Sequence, residues 1–105
     1  MPLPSLIEIQ DSTQIIYSSM SPTPQKTWPL LSRYIGAEVW VKHENHTPIG
    51  AFKLRGGLTY IENLKKHNPN ANHIITATKG NHGQSIAYAT ALFRVRATIV
   101  VPYKN

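Results

Sequence analysis

Two strand–turn–helix segments, one helix apart, constrain this chain more than any other feature. In the first, Glu38-Val39-Trp40-Val41-Lys42 is a β-rich alternating run. It passes through a polar stretch at 43–50, with Pro48 and Gly50, into Phe52, Leu58, Ile61 and Leu64 on a helical period. In the second, His73-Ile74-Ile75-Thr76-Ala77-Thr78 enters the tight turn Gly80-Asn81-His82-Gly83 and then an Ala-rich helix from Gln84 to Phe93. The nearly all-apolar run Ala97-Thr98-Ile99-Val100-Val101-Pro102 reads as a strand inside a parallel sheet. The order β-α-β-α-β predicts an α/β fold with right-handed crossovers.

The N-terminal third is less regular. A helical turn or two is expected over 6–10, with Asp11-Ser12-Thr13 recapping a second helix, and 18–24 is a breaker cluster and therefore a loop. Trp28 to Ile35 predicts a short helix, with Thr27 as its cap, Pro29 in its first turn and Gly36 as its stop. His67-Asn68-Pro69-Asn70 ends the helix that begins near Phe52.

Composition narrows the function classes. At 105 residues the chain forms at most one small domain, and 41% hydrophobic against 15% charged residues argues against disorder. There is no cysteine, hence no disulfide framework and no thiolate chemistry. No apolar run approaches the roughly 18–20 residues that span a bilayer. The first eight residues lack a basic n-region and carry Glu8, which argues against a signal peptide, so a cytoplasmic protein without a membrane partner is expected. The net charge of +6 is spread over scattered lysines and arginines, never more than two in a row, so no nucleic-acid partner is expected.

The chemistry concentrates at the two turns. Lys53 stands at a helix start, where the positive end of the dipole disfavours an ammonium and so favours a nucleophilic amine. Partial burial is expected to help. Gly50 lets backbone approach a ligand closely, and Asn45 is expected to brace the loop by side-chain-to-backbone bonds. A lone lysine of this kind is usually a surface residue. The turn at 78–84 presents unpaired N–H groups at a helix start, a place for an anion such as a substrate carboxylate. Alone, Gly-Asn-His-Gly would be a capped βα turn. His43 and His46 have metal-ligand spacing but no acidic or cysteine partner nearby, so a metal site is not expected.

The string from Lys42 to Gly56, Lys-His-Glu-Asn-His-Thr-Pro-Ile-Gly-Ala-Phe-Lys-Leu-Arg-Gly, and the string Thr78-Lys79-Gly80-Asn81-His82-Gly83-Gln84-Ser85 together resemble the lysine loop and Asn-loop of pyridoxal-phosphate (PLP) enzymes of the tryptophan-synthase-β type, fold-type II. Among these the chain is most similar to the serine/threonine dehydratases and related ammonia-lyases. The resemblance implies PLP as cofactor and Lys53 as both Schiff-base lysine and carrier of the Cα proton. It also implies Phe52 against the pyridine ring, Asn81 on the phenolic oxygen of PLP, and Thr78 with Gly80, Asn81 and His82 around the substrate carboxylate. The implied reaction eliminates the β-hydroxyl of a serine- or threonine-like amino acid to give a 2-oxo acid and ammonia. Hydroxyaspartate ammonia-lyase, racemase and non-catalytic binding-module variants stand as alternatives.

Three departures stand out. Ala51 replaces the usual serine, Lys79 stands where racemases of the group carry a serine, and Arg94 stands where relatives tend to have a helix-ending glycine. By the same resemblance, residues 1–72 belong to the large PLP-binding domain and 73–105 begin the small one. The glycine-rich phosphate loop would lie beyond this stretch. The chain is therefore expected to be an N-terminal fragment, inactive alone and homo-oligomeric.

Overall fold

A computed structural model describes residues 2–104. In chain order the elements are α1 (Leu6–Tyr17), β1 (Gln25–Thr27), α2 (Pro29–Ile35), β2 (Trp40–Lys42), a single 3-10 turn at Glu44–His46, α3 (Lys53–His67), β3 (His73–Ala77), α4 (Asn81–Leu92) and β4 (Arg96–Val100).

The first helix is continuous. Ser5 and Glu8 form a reciprocal capping box at its start. Ser12 and Thr13, expected to open a second helix, instead turn their hydroxyls back onto the carbonyls of Ile9 and Gln10 at 2.6 Å each, and the helix runs on. The expected break at 18–24 is there, but Gln25–Thr27 beyond it is a strand that short-range pattern did not reveal. Three residues without an apolar alternation carry no periodic signal, and only the pairing with Trp40–Lys42 makes them β. Trp28 rather than Thr27 occupies the N-cap of α2 and offers no side-chain bond. Gly36 closes α2 with φ of 78°, as its sequence position implied.

Two separate two-stranded sheets result. β1 and β2 pair antiparallel, while β3 and β4 pair in parallel from His73 opposite Arg96 to Ala77 opposite Val100. The element order read from the sequence holds, and the parallel crossover is the β3–α4–β4 unit. β2 does not join it and pairs with β1 instead.

The core lies where α1, α3 and α4 meet, around Leu54, Leu58, Ile61 and Ala89, with Ile16, Met20 and Val95 at its margin. Residues of β1, α2 and β2 contribute nothing to it, and Trp28 and Trp40 are exposed rather than core. The radius of gyration is 16.7 Å, against about 13 Å for a compact chain of this length. β4 is not the buried interior strand that its apolar composition implied: only Ile99 is half-buried.

α4 ends in a paired-bond turn, with Val95 N–H donating to Thr90 O at 2.9 Å and Arg94 N–H to Ala91 O at 3.4 Å. That turn needs a left-handed residue, and Arg94 adopts it with φ of 53°. A glycine would take the same conformation without the steric penalty of a Cβ.

Candidate active site

Lys53 is the first residue of α3, and the loop before it is fixed by side chains from several elements. The Thr47 hydroxyl accepts from Ala51 N–H at 2.9 Å and donates to Ala51 O at 2.8 Å, closing a tight, buried loop. Gly50, with φ of 71°, makes that closure possible. Thr47, and not Asn45, supplies the bracing side-chain bonds.

One turn into α3, Arg55 holds Glu44 by two bonds, Nε to Oε2 at 2.7 Å and a terminal guanidinium nitrogen to Oε1 at 3.0 Å. Thr23 adds a hydroxyl to Oε1 at 2.6 Å, and Arg55 also reaches the Tyr17 hydroxyl at 3.3 Å. The bonded Arg55 guanidinium, reinforced by the Thr23 hydroxyl, lowers the Glu44 carboxyl to about 2 against the opposing cost of its partial burial. The same bond raises Arg55. This bidentate pair, half-buried at both ends, ties the 3-10 turn to the helix that carries Lys53.

On the other side, α4 packs directly on the start of α3. The Ser85 hydroxyl donates to the carbonyl oxygen of Lys53 at 2.7 Å. A Cβ at Gly57 would fall on the Ser85 hydroxyl, so glycine is what allows this approach.

Lys53 itself is exposed, not partly buried as expected. Its ammonium lies 5.4 Å from the Phe52 ring centroid and, among the described residues, makes no hydrogen bond or ion pair. It opens on a cleft of about 360 Å³ whose walls include Tyr60, Ile74, Ile75, Thr76, His82 and Ile86. His82 Nε2 is 3.1 Å from the Thr76 hydroxyl, so this histidine is a held wall residue. The structure thus brings Lys53 and His82 together.

It does not bring Thr78 and Gly80 into the same cleft. These two line a neighbouring hollow of about 350 Å³ with Lys79, Gly83 and Gln84, and the Gly80 N–H donates to the Thr78 hydroxyl at 3.2 Å. Asn81 opens α4 between the two clefts, three residues earlier than the sequence pattern started that helix. Phe52 stands beside the ammonium, outside the cleft wall.

Comparison with known proteins bears directly on this lysine cleft. The family model described as pyridoxal-phosphate dependent enzyme matches residues 16–105. The chain belongs to that family. Its members depend on PLP, so the cofactor implied by the motifs is that of the family. An L-threo-3-hydroxyaspartate ammonia-lyase of Saccharomyces cerevisiae is 33% identical over 102 residues, covering 97% of this chain and 31% of the relative. A biosynthetic L-threonine dehydratase of Corynebacterium glutamicum is 35% identical over 98 residues, covering 93% of this chain and 22% of its own. Among solved structures, a PLP-dependent aspartate racemase superposes with a TM-score of 0.89 at 29% identity, over 98% of this chain and 33% of the racemase. The chain therefore spans about a third or less of the length of these three proteins.

The residues of this PLP-family cleft fit the cofactor. A primary amine with no competing partner among the described residues faces a hollow with one apolar wall, Ile74, Ile75 and Ile86, and one polar wall, Thr76 and His82. A flat heteroaromatic aldehyde has use for both. The sequence motifs led to Lys53 and His82. They did not lead to Glu44, Arg55, Thr47 and Ser85, which set where Lys53 stands. Glu44 and Arg55 lie inside the motif string, 11 residues apart, but nothing in one dimension says that they bond each other.

Proposed function

We propose that the protein carrying these residues is a PLP-dependent ammonia-lyase that converts a serine- or threonine-like β-hydroxy amino acid into a 2-oxo acid and ammonia. The observation that carries this reading is the unpaired amine of Lys53, at the first residue of a helix, opening on a cleft that the first turn of α4 also lines. The activities for which the dehydratase and ammonia-lyase relatives are named support it.

PLP, when bound, supplies an aldehyde for the substrate amine and an electron-poor ring that accepts the electron pair released at Cα. Lys53 Nζ would hold the cofactor and, once free of it, would carry the Cα proton of the substrate. Asn81, at the N-terminus of α4, would offer its side-chain amide to the cofactor's phenolic oxygen. Thr78 and the N–H groups from Gly80 to His82 would grip the substrate carboxylate, reaching from the neighbouring hollow once the bond from Gly80 N–H to the Thr78 hydroxyl opens. His82 is positioned by Thr76 and serves as wall.

A racemase reading is favoured by the likeness to an aspartate racemase. Lys79, in place of the serine such racemases carry, lines the neighbouring hollow and leaves elimination as the preferred outcome. The test is Lys53→Ala in the protein that contains this chain, with L-serine, L-threonine and L-threo-3-hydroxyaspartate as substrates. Release of 2-oxo acid and ammonia should fall by at least about a thousandfold, since nucleophile and proton carrier vanish together. Undiminished release contradicts the assignment of Lys53, and accumulation of the D-isomer without ammonia moves the reading to racemisation.

A further inference from the structure

We infer that Ser85 is a positioning residue for Lys53, locking the lysine-bearing turn of α3 to the helix that opens with Asn81. The inference rests on the proposed function for its consequence and on geometry alone for the lock itself. Ser85 is 1% exposed, and its hydroxyl donates at 2.7 Å to the backbone carbonyl of Lys53, 32 positions away. That carbonyl already accepts the helical bond from the N–H four residues on, that of Gly57. The Ser85 hydroxyl takes its second lone pair. Gly57 is the complement: a Cβ there would fall on the Ser85 hydroxyl and come within 3.0 Å of the Ser85 carbonyl oxygen.

Ser85 belongs to the helix that begins at Asn81, and His82 one turn earlier lines the Lys53 cleft. A bond from Ser85 to the Lys53 backbone therefore sets the spacing between the turn that carries Lys53 and the turn that carries Asn81 and His82. Position matters here because a reacting pair displaced by about 1 Å loses on the order of a hundredfold in rate.

Thr90 provides the matched control. It is 2% exposed, on the same helix, and its hydroxyl bonds carbonyls of its own helix, Ile86 O at 2.7 Å and Ala87 O at 3.2 Å, rather than any group of α3. Ser85→Ala and Thr90→Ala each remove a buried hydroxyl bonded to backbone carbonyl, so a merely structural role predicts that Ser85→Ala has no larger effect than Thr90→Ala. The lock predicts a split. Ser85→Ala should lower kcat about tenfold with KM within about twofold, while Thr90→Ala keeps both, a difference of about 1.4 kcal/mol in the barrier.

A second readout needs neither cofactor nor turnover. Amide exchange at Gly57, whose N–H shares the Lys53 carbonyl, should quicken in Ser85→Ala and not in Thr90→Ala. Equal kcat and equal Gly57 exchange in the two variants overturn the lock. Quickened exchange in a protein whose wild type releases no ammonia leaves the lock standing and sinks the proposed reaction instead.

Discussion

The two turns that carry the candidate chemistry are built differently. The lysine turn is held from three directions: by the Glu44–Arg55–Thr23 cluster and by Ser85 from α4, both reaching across the sequence, and by the local Thr47 clasp on Ala51. The side-chain bonds of the Asn81 turn are local, Gly80 N–H on Thr78 and Thr76 on His82, with backbone bonds from Gly83 N–H to the Gly80 carbonyl at 3.0 Å and from Thr78 N–H to Val100 O at 2.9 Å. The first of these turns is over-determined and the second is free to yield. This is the division expected where a covalent anchor must stay put while a substrate grip adapts, since mobile elements come from the lightly bonded end of the stability range.

The comparison breaks most sharply at Arg55. Arg55→Met should cost about 2 kcal/mol in a denaturant melt, because Glu44 is left half-buried without its guanidinium. A cost no larger than that of an exposed surface substitution would mean that the lysine turn is not braced as described.

Acid should probe the same bond without a mutation. The folded Glu44 carboxyl sits at about 2, below its unfolded value of 4.5. Its stabilising contribution is thus complete above the unfolded value and lost as pH falls through that window toward the folded one. Wild type should lose stability relative to Glu44→Gln as pH drops from 5 toward 2, a trend that chemical denaturation at several pH values would follow.

The smallest effect belongs to the other turn. Thr76→Val removes one exposed hydrogen bond to His82 and should change stability by no more than about 0.5 kcal/mol. If that substitution costs as much as Arg55→Met, the contrast between the turns disappears.

The same contrast explains what was legible in the sequence. Local signals reported local structure well: Gly36 as a left-handed stop, the helix over 53–67 from its apolar period, and the strand before each turn. The position of Arg94 at a helix-ending φ of 53° was legible through the glycine expected there. The lysine and the histidine of the second turn were legible because motif strings mark them. The brace was not, because Arg55 with Glu44, Arg55 with Tyr17 and Ser85 with Lys53 are pairings that only the packing of α1, α3 and α4 creates. β1 escaped for the same reason, since a three-residue strand exists only by virtue of its partner. Lys53 was expected to be partly buried and is exposed, because α3 turns its buried face, Leu54, Leu58 and Ile61, to the core and carries residue 53 at its rim.

The most direct test of the lysine assignment is covalent. The protein is incubated with PLP, reduced with borohydride, digested and mapped by mass spectrometry. The account predicts a pyridoxyl group on the peptide containing Lys53, at near-stoichiometric yield and absent from Lys53→Ala. A label on Lys79, or one spread evenly over the exposed lysines, would contradict it.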